Sequence, residues 1–215
     1  MNFAKQADNV YVIDTNMFGF EHFSSSYIVE GKEIVLIDTG FPKQLNKVRD
    51  GIKKHGFSIS DISYIFVTHC EHADHCGNVG TFVKENPKIK VHINPIGLKY
   101  LTDPSMYNDT TLKMSDEFSG QIPVPKSNIE LLNDGDVFDI GNGEKLTIIF
   151  TPAHQPGGLA IFEEKNKGLF TGDIVGEYLE DADFLQVIIS SHGNVLKSIE
   201  ALEKFMNIIE KIKPQ

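Results

Sequence analysis

Only two cysteines occur in the chain, Cys70 and Cys76, and both lie in one short polar stretch. That count excludes a disulfide framework and fits a reducing, cytoplasmic setting. Basic side chains are scarce too: 20 Lys and Arg against 30 Asp and Glu leave a formal charge of −10. Nucleic-acid surfaces rely on clustered Lys and Arg, so that class of partner is not expected. No apolar run approaches the length of a membrane span, and the first eight residues lack the apolar core of a signal peptide. Internal repeats and low-complexity tracts are missing as well. What remains is 215 residues that fit a single domain, 1–215, or two intimately packed halves, with a sizeable core.

Residues 10–14, 26–30 and 33–38 read as short strands, the last two joined by a tight turn at Gly31-Lys32. Pro42 suits a first helical turn, Leu45, Val48 and Ile52 recur at helical spacing, and Gly56 closes that helix. Residues 62–67 form an apolar run with the look of a buried strand, followed by a helix over about 74–85 that buries Val79, Phe82 and Val83. Residues 90–94 continue as a strand, and 102–127, rich in Asp, Ser, Thr and Pro, read as a long excursion of the kind that forms lids or binding loops. Further strands are expected at 130–132, 137–140, 145–150, 158–163, 168–171 and 184–190. Val195, Ile199, Leu202, Met206 and Ile209 then mark an amphipathic helix, stopped by Pro214. Strands precede helices in both halves, so two sheets packed face to face and clad by helices is the expected architecture.

The chemistry concentrates in Thr68-His69-Cys70-Glu71-His72-Ala73-Asp74-His75-Cys76-Gly77, directly after the strand at 62–67. Imidazole and carboxylate at such spacings can wrap a metal ion, and together they suit zinc or iron. Four other expected strand ends carry matching groups: Asp38-Thr39-Gly40, Thr151-Pro152-Ala153-His154-Gln155-Pro156-Gly157-Gly158, Phe170-Thr171-Gly172-Asp173 and Ser190-Ser191-His192-Gly193. A lone Asp or His at a strand end is ordinary turn chemistry. Several in one chain, beside a His-rich loop, are not.

In this order the motifs resemble the metallo-β-lactamase-fold hydrolase superfamily over roughly residues 11–173. The resemblance implies an α/β (α+β) αββα sandwich of two mixed β-sheets flanked by helices, with a two-ion site on one edge of the sheets. It further implies His154 as a ligand of the first ion, Asp74 and His75 as ligands of the second, and Asp173 as the bridge. Asp38 would orient a ligand rather than bind metal, or simply bond its own turn.

Two departures stand out. Counted back from Asp74 and His75, the usual His-x-His-x-Asp-His loop puts His72 in its second place and Cys70 in its first. Counted forward from Thr68, His69 comes first and Glu71 second, with one residue extra before Asp74. Either Cys70 ligates as thiolate or a bulge brings His69 to the metal. The forward register is similar to the His-x-Glu-x-Asp-His loop of flavodiiron proteins, whose metal is iron. The second departure concerns His192, the only candidate for the family's last ligand. Just eighteen residues separate it from Asp173, and 174–183 shows no helical pattern for the crossover that parallel strands need. Relatives place their last histidine after a helix like the one ending here, so the expectation is a chain truncated before that strand and helix, or one without the ligand.

Such a centre, two divalent ions, most simply zinc with iron as the alternative, supports hydrolysis of a small-molecule ester, thioester, lactone, amide or phosphoester by a metal-held hydroxide, with Asp74 as ligand and proton acceptor. The competing readings are a diiron protein that binds or reduces oxygen, served by a separate electron-transfer partner, and a fold member that binds without catalysis. A homo-oligomer is compatible with either. Elsewhere, His55 suits a helix end, His92 a strand interior, Cys76 a small buried position, and His22 an aromatic segment able to line a substrate mouth.

Overall fold

The computed structural model describes residues 8–21, 23–107, 120–174 and 188–190. Among these residues eleven strands form two mixed sheets. The first contains β1 (Val10–Asp14), β2 (Ser25–Glu30), β3 (Ile34–Ile37), β4 (Ile62–Phe66), β5 (Lys90–Ile93) and β6 (Ile129–Leu131), adjacent in chain order. β1, β2 and β3 pair antiparallel, while β3 to β6 run parallel. The second contains β7 (Val137–Gly141), β8 (Glu144–Phe150), β9 (Leu159–Glu163), β10 (Gly168–Gly172) and β11 (Ile188–Ser190), in the order β11-β10-β9-β8-β7. Only β10 and β11 pair parallel in that sheet. The strands expected up to residue 171 are present within a residue or two, and of the one expected at 184–190 the described part is Ile188–Ser190. The expected 195–213 helix, His22 and His192 lie outside the described residues.

Alternation along the strands explains the layering, because successive side chains leave a strand on opposite faces. In β2 and β3, Tyr27, Val29, Val35 and Ile37 face the second sheet and meet Leu146, Ile148, Leu159, Ile161 and Phe170. Their neighbours Ile28 and Leu36 face the helices, against Val48 and Ile52 of α1 (Leu45–Lys54) and Phe82 and Val83 of α3 (Val79–Glu85). The first sheet is therefore buried on both faces, as parallel strands require. Outward residues of the second sheet, Ile149, Ala160 and Leu169, are buried too. No helix among the described residues is long and apolar enough to cross a membrane.

The single helix expected over 74–85 is instead two, α2 (Ala73–Cys76) and α3, broken at Gly77-Asn78. The cause is long-range. Asn78 turns its amide onto the carbonyls of Thr39 (2.7 Å) and Phe41 (2.6 Å), and Gly77 lies so close to Gly40 and Pro42 that a Cβ would clash. These bonds tie the His-rich loop to the exit of β3. A short helix α4 (Leu98–Thr102) and a 3-10 turn at Pro104–Met106 lead into the excursion expected at 102–127.

At the far end of the sandwich, where β8 begins and β9 ends, two buried glutamates meet. Glu144 is fully buried and accepts the Asn9 amide at Oε2, while no hydrogen is donated to its Oε1. Both oxygens of Glu163 accept from the backbone N–H of Asn166, at 2.9 and 3.1 Å. Asn166 in turn donates its side-chain amide to Asn9, which precedes β1, so the cluster joins the two sheets.

Candidate metal centre

At the opposite end, the exits of β3, β4, β8 and β10 converge. Asp38 follows β3 in left-handed backbone conformation (φ 57°), a strained state for a residue with a Cβ that persists where neighbours enforce it. Its carboxylate is held on three sides, by the Thr68 N–H (2.8 Å), the Thr68 hydroxyl (2.7 Å) and Nδ1 of His75 (2.8 Å). Asp38 thus assigns the proton of His75 to Nδ1 and leaves Nε2 facing Asp173 (3.1 Å) and Asp74 (3.6 Å). Burial alone would push the His75 imidazole down. The facing carboxylates of Asp173, Asp74 and Asp38 outweigh it and hold His75 well above its ordinary range.

His69 leaves the end of β4 and lies at the hub. Its ring centroid is 4.1 Å from that of His75, 5.2 Å from His154 and 5.9 Å from His72. Burial and then the neighbouring His75 depress its protonation, so it is a neutral imidazole. Its Nε2 is buried and has no hydrogen-bond partner. A buried, orphaned lone pair is costly unless something fills it, and a metal ion is what the donor set around it fits. Among the described residues, two groups place ligand atoms within 4.8 Å of one another: His69, His72 and His154, and His69, His75 and Asp173. Asp173 spans both, with one oxygen near His75 and the other 3.6 Å from Nε2 of His154 and 3.9 Å from Nε2 of His69. Asp74, on α2, stands beside His75. Gly172 makes this possible: its φ is +54° and a Cβ there would sit 2.8 Å from the Thr68 hydroxyl, so only glycine lets β10 run this close to β4.

Of the candidate ligands read from sequence, the structure brings together His69, His72, Asp74, His75, His154 and Asp173. It leaves Cys70 out. That side chain packs into the core beside Gly97, with Sγ 3.7 Å from the Tyr107 hydroxyl, and belongs to neither ligand group. Glu71 also turns from the histidines: Oε1 accepts the Gly157 N–H (2.6 Å) and Oε2 the Cys70 N–H (3.1 Å). Glu71 thereby clips its own loop to the one carrying His154, and a Cβ on Gly157 would collide with it. His192 lies outside the described residues, although the pairing of Gly172 with Ser190 brings the end of β11 beside Asp173.

Sequence reading missed Gln155, whose amide donates to Nε2 of His72 at 3.1 Å, and the role of Thr68 in fixing Asp38. For both, the available signal was adjacency to a candidate ligand histidine. Of the other described histidines, His55 and His92 are structural. His55 donates to the Val12 carbonyl (3.0 Å), and His92 stacks on Phe66, its imidazole lowered to about 4 by burial.

The model of the metallo-beta-lactamase superfamily matches residues 19–206. An uncharacterised protein of Aquifex aeolicus is 29% identical over 143 residues, 66% of this chain and 60% of that protein. The flavo-diiron protein FprA2 of Clostridium acetobutylicum is 29% identical over 153 residues, which are 71% of this chain but 34% of its own length. The chain thus spans between about a third and three fifths of these curated relatives. BJP-1, a subclass B3 metallo-beta-lactamase of Bradyrhizobium japonicum, superposes with a TM-score of 0.68 over 96% of this chain and 90% of that one, at 20% identity. At that identity the likeness shows the fold alone.

Proposed function

The chain belongs to the metallo-beta-lactamase superfamily, and from that membership we propose that it is a two-ion metallo-hydrolase acting on an ester, thioester, lactone, amide or phosphoester of a small molecule. The observation that carries this is the placement of His72. It stands with His69 and His154, while Glu71, the residue that would give the loop its iron-type register, is occupied by two backbone N–H groups. Three imidazoles favour zinc over an oxygen-rich diiron set. His69, His72 and His154 would hold one ion, Asp74 and His75 the second, with Asp173 between them.

Ions bound there would lower the pKa of a water and polarise the carbonyl or phosphoryl oxygen under attack. The protein's own groups do the rest. Asp38 keeps the Nδ1 proton on His75 and aims Nε2 inward, and Asp74, beside it, is the carboxylate able to accept a proton from the reacting water. Phe18 and Phe20 stand exposed next to Phe41 and Phe23, and Phe41 packs on Ala73 of the metal loop. They offer an apolar wall for the substrate. Two free thiols suit a reducing compartment, and we assign the protein to the cytoplasm on that ground.

A second reading, a diiron protein fed by a separate electron donor, is supported by the resemblance to FprA2. Metal analysis of protein purified without added metal separates the two. The hydrolase reading expects about two equivalents of zinc, and hydrolysis of a panel of activated esters, thioesters and lactones that Asp74→Ala abolishes. Iron with visible absorption that changes in air, or turnover untouched by Asp74→Ala, overturns it.

A further inference from the structure

We propose that Cys70 and Cys76 are an oxidative modification site: a peroxide converts them to a disulfide that constricts the His-rich loop and releases its metal. They are the only two cysteines in the chain, both free and both fully buried. Both also meet the Tyr107 hydroxyl, Cys70 at 3.7 Å and Cys76 at 3.1 Å, and that hydroxyl donates to the Cys70 carbonyl at 2.7 Å. Nothing in the metal centre needs either thiol. What they bracket is the centre itself, because the segment between them carries His72, Asp74 and His75, and His69 precedes it.

The step balances with hydrogen peroxide as oxidant. One thiol cleaves the O–O bond, giving a sulfenic acid and one water. The second thiol attacks that sulfur, forms the S–S bond and releases a second water. Each sulfur gives up one electron, and both thiol hydrogens leave in water. Bond formation brings the two sulfurs, which now share the Tyr107 hydroxyl, to about 2.05 Å from each other. Cys76 is the last residue of α2, a single turn that also carries Asp74 and His75, so that movement displaces both. Cys70 is anchored on the other side by Gly97 and Tyr107.

In the closed loop both sulfurs are fully buried, out of reach of dissolved peroxide. Oxidation therefore proceeds from the opened loop, and an ion that holds the loop closed protects the thiols. Linkage makes this reciprocal: the disulfide weakens metal binding by the factor by which metal disfavours the disulfide. The metal half of this inference rests on the proposed hydrolase centre, and the disulfide half does not.

The test treats the reduced, zinc-loaded protein with hydrogen peroxide, follows zinc release with a chromogenic chelator, and alkylates denatured samples for intact mass. The expected result is an unalkylated species that regains two alkylation sites after dithiothreitol, formed together with zinc loss and formed faster when zinc is first removed. Cys70→Ser and Cys76→Ser should each keep their zinc under the same treatment. Two cysteines that still alkylate after peroxide, oxygen adducts that dithiothreitol does not reverse, or a disulfide that forms with zinc retained would each overturn the proposal. A reduced protein that takes up no zinc overturns the hydrolase reading, while the alkylation result still decides the disulfide.

Discussion

Replacing Glu144 by Gln should remove a pH dependence of stability that originates far from the metal centre. Burial, followed by the hydrogen bond and charge of Glu163, raises the Glu144 carboxyl from 4.5 to about 8. Two carboxyl groups this close and this buried cannot both be ionised, so at neutral pH they hold one proton between them. The folded value lies above the unfolded one, so folding stabilises the protonated form. That stability is fully present below about pH 4.5 and is lost as pH rises toward 8. Each pH unit inside the window is worth at most about 1.4 kcal/mol, so between pH 5 and pH 8.5 the wild-type chain should lose on the order of 4 kcal/mol from this pair. The Gln variant keeps an acceptor for Asn9 and offers Glu163 a permanent donor, so it should show none of that loss. Urea unfolding followed by far-UV circular dichroism at pH 5, 7 and 8.5 measures both curves. Histidines titrate in the same range but are shared by both proteins and cancel in the difference. Parallel pH dependence of the two proteins would refute the shared proton.

Other positions give separate tests. Asp38→Asn should weaken zinc binding by about 10- to 100-fold, measured by competition with a chelator, because His75 loses the carboxylate that sets its tautomer. Gly172→Ala should lower stability by about 1–3 kcal/mol in thermal melts, since it combines a left-handed backbone with a contact against Thr68. Asn78→Ala strands the Thr39 carbonyl in the interior, removes one of the two bonds to the Phe41 carbonyl, and should cost about 1–3 kcal/mol, with a lower melting temperature even in metal-free protein.

Much of this was legible in the sequence because it is written in local periodicity. β2 and β3 alternate faces residue by residue, and the motifs at the exits of β4, β8 and β10 carry the side chains that converge. What escaped was decided by partners distant in the chain. Gly77 and Asn78 give no local sign of a helix break, which is imposed by carbonyls almost forty residues earlier. Spacing alone left His69 and Cys70 as rivals, and the choice falls to Gly97 and Tyr107, which take up the Cys70 side. Glu71 stood in a ligand's place in only one register of the loop, and spacing gave no sign that its partner would be Gly157, 86 residues later. Glu144 and Glu163 meet only because β8 and β9 pair with Leu146 opposite Glu163.

The candidate donors of the centre come from two different sheets: His69, His72, Asp74 and His75 follow β4 of the first, and His154 and Asp173 leave β8 and β10 of the second. Any ion they share is a cross-link between the layers. By mass action, an ion present at a thousand times its dissociation constant would add about 4 kcal/mol to the folded state. Chelation would then loosen the sandwich itself, so the melting temperature would track free metal concentration as a binding isotherm.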